Sequence, residues 1–369
     1  MLTLAPRTAA PTPPAFLFTP QVEAETHQIW ERVSARITPL EWRLHAPLIA
    51  EINRIKRERN AVILAHNYMT PEIFHGVGDY VGDSLGLARE AQRAKADVIV
   101  QAGVKFMAET SKVLSPDKRV LIPDLNAGCS LASSITAADV RLMRQRYPNA
   151  PVVAYVNTTA DVKAEVDVCC TSANAVQVVE WAAREWGSDR VLLIPDEFLA
   201  RNVARQTSVK IVAWKGRCEV HERFTAEDIL ELRAAYPEAE VLAHPECPTE
   251  VIEVSHFTGS TAAMTDYVAK NKPKQVVLIT ECSMADNVAC EAPETEFIRP
   301  CNLCPYMKMI TLQNIYDTLV NDRFEVTVDP AVADRARASV QRMIDMPPLA
   351  IPARYDLVKA RHHVDVELI

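Results

Sequence analysis

Three stretches of the chain keep one register: Ala61-Val-Ile-Leu-Ala-His66-Asn-Tyr68, Pro151-Val-Val-Ala-Tyr155-Val-Asn157 and Glu240-Val-Leu-Ala-His244-Pro-Glu246. Each is a short β-branched run that ends in polar residues. His66, Tyr155 and His244 are spaced by 89 and 89, and so are Tyr68, Asn157 and Glu246. A small-residue helix start follows each run: Gly82-Asp-Ser84-Leu, Cys170-Thr-Ser172-Ala and Gly259-Ser260-Thr261-Ala, with serines 84, 172 and 260 spaced by 88 and 88. A second strand pattern comes next (Asp97-Val-Ile-Val, Arg190-Val-Leu-Leu-Ile, Gln275-Val-Val-Leu-Ile), then a helix, then a third strand (Arg119-Val-Leu-Ile, Lys210-Ile-Val-Ala-Trp, Glu296-Phe-Ile-Arg). Internal self-similarity of this kind decides architecture before any single element is assigned.

Apolar runs alternating with helical patterns indicate small parallel sheets covered by helices. The expected fold is therefore α/β: three homologous α/β/α three-layer domains, each with a small three-stranded parallel sheet, arranged with pseudo-threefold symmetry around a central active site. Ligands bind at the C-terminal edge of such sheets. The expected boundaries are an N-terminal extension at 1–46, repeats at 47–148, 149–237 and 238–345, and a C-terminal tail at 346–369. Capping boxes at Thr136/Asp139 and Thr225/Asp228, with Thr311/Asn314 at the same offset, open the joining helices. Leu48, Ile49, Ile52 and Ile55 make the apolar face of a helix ahead of the first repeat, and 329–345 reads as a closing helix. Met1 to Pro20 carries five prolines and reads as a disordered or surface-draped extension.

The 369 residues suit two or three domains, and 49% apolar with 24% charged residues is ordinary globular composition. A net charge of −8 lacks the basic footprint of nucleic-acid binders. No apolar run approaches the roughly 20 residues of a membrane span. Only nine residues are Gly; Gly76-Val-Gly78-Asp-Tyr-Val-Gly82 misses the dinucleotide fingerprint, and no Gly-Lys pair makes a P-loop. The absence of a secretory signal and the odd count of nine Cys point to a reducing cytoplasm with thiols buried, metal-bound or catalytic rather than bridged.

Cys129, Cys218 and Cys304 recur in the loop after the third strand of each repeat, spaced by 89 and 86. Cys169, Cys170, Cys247, Cys282 and Cys290 have no counterparts and read as buried or incidental thiols. Three soft thiolates with an open fourth position suit a [4Fe–4S] cluster with one free iron, or a zinc ion; spacing alone leaves both open. Residues i and i+2 of a strand share a face, so His66 with Tyr68, Tyr155 with Asn157 and His244 with Glu246 ring the same edge. Tyr68 and Glu246 suit proton transfer, and the histidines suit donation to a carboxylate or carbonyl. Ser84, Ser172, Ser260 and Thr261 sit at helix starts, where hydroxyls and free N–H groups bind anions.

Ala65-His66-Asn67-Tyr68, Val81-Gly-Asp-Ser84-Leu, Phe106-Met-Ala-Glu109, Tyr155-Val-Asn157, Cys170-Thr-Ser-Ala-Asn174-Ala, His244-Pro-Glu-Cys-Pro248 and Gly259-Ser-Thr261 resemble the quinolinate synthase family, in order, from about residue 47 to 345. The resemblance implies a cytoplasmic transferase and dehydratase of NAD biosynthesis. It condenses iminoaspartate with dihydroxyacetone phosphate to quinolinate, with loss of phosphate and water. It further implies one [4Fe–4S] cluster per chain on Cys129, Cys218 and Cys304, its open iron acting as Lewis acid. Tyr68, Glu246, His66 and His244 would be catalytic, and Ser84, Tyr155, Asn157, Ser172, Ser260 and Thr261 would bind substrate beside them. An enzyme supplying iminoaspartate is an implied partner; neither nucleic acid nor membrane is. A zinc-dependent lyase or hydrolase and a non-enzymatic Fe–S sensor are the rival readings. Some members carry C-x-x-C-x-x-C before the third ligand; here Ile298 replaces the first Cys, so this chain lacks their redox pair.

Overall fold

The computed structural model describes residues 16–347 and 366–369. Its strands form three separate sheets. The first holds β1 (Ala61–His66), β2 (Tyr80–Gly82), β3 (Val98–Ala102) and β4 (Arg119–Leu121) in the order β2-β1-β3-β4. The second holds β5 (Val152–Tyr155), β6 (Val168–Cys170), β7 (Arg190–Ile194) and β8 (Lys210–Ala213). The third holds β9 (Ala239–Ala243), β10 (Phe257–Thr258), β11 (Gln275–Ile279) and β12 (Glu296–Ile298) in the order β10-β9-β11-β12. A short β13 (Glu367–Leu368) extends the second sheet, whose order is β13-β8-β7-β5-β6. All these pairings are parallel. Nine of the strands are the apolar runs read from the sequence.

Each sheet has a fourth strand that the expectation of three omitted. β2, β6 and β10 are only two or three residues long and lead at once into the next helix, so their residues look like helix starts. Sheet pairing also corrects the serine register. Ala65 pairs with Val81, Ala154 with Cys169 and Ala243 with Thr258. Counting on by three from the edge-strand partners aligns Ser84, Ser172 and Thr261; Ser260 instead aligns with Asp83 and Thr171. The capping chemistry agrees: Asp83 and Ser260 are N-caps, accepting from the N–H groups of Gly86 and Ala263.

The joining helices begin where their caps place them, at Ala137, Ala226 and Leu312, and all three capping boxes close reciprocally. The first two stop at Tyr147 and Tyr236, each followed by proline. Ahead of β1, helices Pro20–Val33 and Pro39–Glu58 occupy most of the described part of the extension, and the second runs on into the first repeat. Proline opens both at the first helical position, where its missing N–H costs nothing. The second helix buries Leu48, Ile49, Ile52 and Ile55 and packs on β1 and on helix Leu312–Asn321. Phe16 lies edge-on to Tyr316 at 5.1 Å, so the chain just before the first helix rests on the core; Met1–Ala15 lie outside the described residues.

The apolar interior is divided unequally. One continuous cluster joins the first and second sheets, the N-terminal helices and the closing helix Pro330–Asp345, which packs on β6 and on helices Lys105–Leu114 and Ala160–Lys163. The third sheet has two clusters of its own, one on each face, centred on Leu242, Val276 and Met264 and on Val241, Ile279 and Ile252. No helix among the described residues is long and apolar enough to cross a membrane.

Candidate active site

Polar residues at the C-terminal ends of β1, β5 and β9 converge on one cavity. His66, Tyr68, Tyr155, Asn157, His244 and Glu246 line it, and so do Ser84, Ser172, Thr261, Cys129, Cys218 and Cys304. Ser260 is not among the lining residues; its hydroxyl is engaged in capping Thr261–Asn271.

His66 and His244 are built alike. Each Nδ1 accepts the backbone N–H two residues on, from Tyr68 at 3.2 Å and from Glu246 at 3.4 Å. That contact leaves the ring proton on Nε2. Burial pushes His66 down to about 4 and His244 to about 3, so both rings are neutral near pH 7.

Glu246 is almost fully buried. Burial alone would raise its pKa, but His221, His244 and hydrogen bonds from His221 and Tyr155 outweigh that and hold the carboxyl well below the usual range. His221 Nδ1 lies 2.8 Å from Glu246 Oε2, and the Tyr155 hydroxyl donates to Oε1. On its other edge, His221 Nε2 is 2.9 Å from Thr280 Oγ1, which is 2.6 Å from the Tyr68 hydroxyl. Tyr68, Thr280, His221, Glu246 and Tyr155 therefore form one hydrogen-bonded chain. Both tyrosines are held protonated, chiefly by burial and then by the charge of Glu246.

The three thiols share a local design. Each precedes a single helical turn, Ser130–Ser133, His221–Arg223 or Met307–Met309. Backbone N–H groups two and three residues on point at each sulfur: Leu131 and Ala132 at Cys129, Val220 and His221 at Cys218, Tyr306 and Met307 at Cys304. Burial pushes the thiols up, Cys129 to about 12, and a bound cation would favour their thiolate forms. The Cys218 loop depends on Gly216, where a Cβ would sit 2.4 Å from the Pro195 carbonyl oxygen. Cys304 is seated by Glu281, whose carboxylate accepts from its N–H at 3.4 Å and from Lys308 at 3.0 Å. Cys218, His221 and Glu246 also bring one ligand atom each within 4.8 Å of one another, a set able to hold a metal ion.

Residues 50–345 match the family model described as quinolinate synthetase A protein. The chain is 74% identical over 353 residues to a quinolinate synthase of Caulobacter vibrioides, covering 96% of each. It is 64% identical over 316 residues to quinolinate synthase 1 of Mesorhizobium japonicum, covering 86% of this chain and 96% of that one. With a quinolinate synthase of Sinorhizobium fredii the identity is 58% over 333 residues, 90% and 92% of the two chains. The chain belongs to the quinolinate synthetase A family. The expectation of an enzyme that makes quinolinate, a step of NAD biosynthesis, therefore holds.

The structure adds two residues to the site of this family member that the repeat register did not find, His221 and Thr280. Neither has a chemical equivalent in the other repeats: three residues beyond Cys129 and Cys304 stand Ala132 and Met307. The spacing Cys218-x-x-His221 was the available signal. One cysteine expectation is overturned. Cys282, read as an incidental thiol, is bonded to Cys301 with Cα atoms 5.0 Å apart. The loop after β12 folds back beside the end of β11, where the Cys282 N–H donates to Asn302 O, and that return brings together two residues 19 apart in sequence. Cys169, Cys170 and Cys247 are buried free thiols, and Cys290 is half-buried.

Proposed function

We propose that this cavity condenses iminoaspartate with dihydroxyacetone phosphate, releasing phosphate and water to give quinolinate, with a [4Fe–4S] cluster held by Cys129, Cys218 and Cys304. The observation that carries the cluster reading is the threefold cradle: three thiols on one cavity, each with two backbone N–H groups at its sulfur. Such donors stabilise thiolate ligands and the negative charge of a cluster. A zinc ion on Cys218, His221 and Glu246 is favoured by their proximity. It is disfavoured because the carboxylate and imidazole are already spent on each other, on Tyr155 and on Thr280. When bound, the cluster supplies a Lewis-acidic iron with an open position for a substrate oxygen or nitrogen.

The chain's own residues do the rest. Glu246, ionised, is the proton acceptor, and Tyr68, protonated, is the donor. The proton that Glu246 takes from substrate can pass through His221 and Thr280 to replace the one Tyr68 gives up, so the two transfers balance within the chain. Neutral His66 and His244 carry their protons on Nε2 and donate to substrate carbonyl or carboxylate oxygens. Ser84 and Thr261, at the first positions of their helices, and Ser172, in the turn before its helix, supply hydroxyls beside free N–H groups and so suit phosphate and carboxylates. Tyr155 and Asn157 complete that wall.

The same reading takes 47–148, 149–237 and 238–345 as three homologous domains meeting on a pseudo-threefold axis at the cavity, with 1–46 and 346–369 as extensions. The common strand order and the 89-residue register support it. We place the enzyme in the cytoplasm, fed by an enzyme that makes iminoaspartate. The test is quinolinate formation by anaerobic protein reconstituted with iron and sulfide. Brown colour and turnover should both vanish in Cys129→Ala. A colourless protein active with stoichiometric zinc overturns the cluster assignment.

A further inference from the structure

Tyr68, Asn157 and Glu246 occupy the same repeat position, and each stands between two peptide carbonyls held by a single buried side chain. Asn287 Nδ2 donates to Asn67 O at 3.0 Å and to Met69 O at 2.7 Å, on either side of Tyr68. Asn202 Nδ2 donates to Pro245 O at 2.8 Å and to Cys247 O at 3.0 Å, on either side of Glu246. Lys163 Nζ donates to Val156 O at 2.8 Å and to Thr158 O, on either side of Asn157. The three clamping side chains are 2%, 4% and 0% exposed.

Two of these clamps are themselves related by the repeat. Ile63, Val152 and Val241, spaced by 89 and 89, pair with Val100, Leu192 and Val277. Ten residues beyond those partners lie Thr110, Asn202 and Asn287, one on the helix after each second strand. The asparagine of the second repeat reaches the loop of the third, and the asparagine of the third reaches the loop of the first. The remaining link, from the first to the second, falls to Thr110, whose hydroxyl bonds within its own helix to Phe106 O at 2.7 Å. There Lys163 takes over. The first repeat supports it from outside: the Phe106 ring lies 5.5 Å from its ammonium, and Glu109 accepts the Ala160 N–H at 2.8 Å.

We infer that Asn287, Lys163 and Asn202 are positioning residues for the reaction proposed above, each fixing the aim of one site side chain by pinning the carbonyls of the residues before and after it. The inference rests on the reading of Tyr68, Asn157 and Glu246 as site residues. A three-residue segment whose first and last carbonyls are tied to one buried side chain has little freedom to turn, so the side chain between has its direction set before substrate arrives. Misplacement by about 1 Å costs on the order of a hundredfold in rate. The roles separate by clamp. Asn287 and Asn202 aim proton-transfer groups, so their loss falls on kcat. Lys163 aims a binding amide, so its loss falls on KM.

The experiment is steady-state quinolinate formation by anaerobic, cluster-loaded protein. Asn202→Thr and Asn287→Thr carry into these sites the short residue of the first repeat; Lys163→Met and Lys163→Arg probe the second. Iron and sulfide content and the thermal midpoint are read on each. Expected are kcat losses of tenfold to a hundredfold with KM within twofold for the two threonine variants, and a tenfold rise in KM with kcat nearly kept for Lys163→Met, part-restored by Lys163→Arg. Asn202→Asp and Asn287→Asp serve where a threonine variant does not fold, since they keep shape and lose the donor. Tyr68→Phe, Glu246→Gln and Asn157→Ala are run beside them. If those three lose activity while folded clamp variants keep wild-type kcat and KM, the inference is overturned. If those three keep activity, it is the site reading that falls. Equal losses in kcat, cluster content and midpoint at all three clamps would also overturn it, leaving only a packing role.

Discussion

Tyr68 and Glu246 stand at the same repeat position, each two residues beyond a histidine whose Nδ1 accepts its backbone N–H, yet their electrostatics are opposite. Glu246 gathers His221 and Tyr155 and is held ionised. The Tyr68 hydroxyl bonds to Thr280 and, through burial and the nearby carboxylate, is held protonated. The backbone repeat therefore supplies two equivalent places, and their neighbours turn one into a base and the other into an acid. Environments that push two groups apart are how one site runs both halves of acid–base chemistry.

The largest break in that comparison should come from Glu246→Gln, which keeps shape and removes the charge: kcat for quinolinate formation should fall about 10³-fold, with cluster absorbance retained. Tyr68→Phe should cost less, about 10²-fold, because water can replace a lost donor more readily than a lost buried base. Thr280→Val cuts the link between the two while leaving both in place, and a loss of only about five- to tenfold is expected. A Thr280→Val enzyme as slow as Tyr68→Phe would mean that the tyrosine acts only through the threonine.

The two histidines test a different quantity, the pH dependence of stability. Their folded pKa values are about 4 and about 3, below the ordinary 6.5, so the unfolded chain takes up protons first as pH falls. Their contribution is full above pH 6.5 and is lost as pH drops towards the folded values. Each should account for about 3 kcal/mol of lost stability between pH 6.5 and 4. His66→Asn or His244→Asn should flatten that slope in urea unfolding. Between pH 4 and 3 the wild-type protein should lose about a further 1 kcal/mol through His244, a loss absent in His244→Asn.

What the sequence made legible is what the repeat duplicates. Nine strands, the capping boxes at Thr136, Thr225 and Thr311 and the loop cysteines all recur in the same order in each unit, because each unit must bury the same faces and end its helices in the same way. Features that belong to one unit, or that depend on two units meeting, were not legible in the same manner. His221 and Thr280 act between repeats and have no duplicated chemistry. Cys282 and Cys301 meet because a loop returns, which spacing does not encode. The shift from Ser260 to Thr261 has a different cause: Gly259-Ser-Thr offers two hydroxyls in succession, and only the pairing of β10 with β9 says which is the cap and which faces the cavity.

The separate apolar clusters of the third sheet have a mechanical consequence. Many of its links to the rest of the molecule are amide and hydroxyl bonds, Asn67 to Thr261, Asn202 to Pro245 and Cys247, Asn287 to Asn67 and Met69. Water can substitute for such bonds, whereas parting an apolar core costs about 25 cal/mol for each Å² exposed. A seam of this kind is held by a few directional bonds rather than by apolar area, so single amide substitutions along it loosen the seat of the third sheet beside the cavity without touching that sheet's own core.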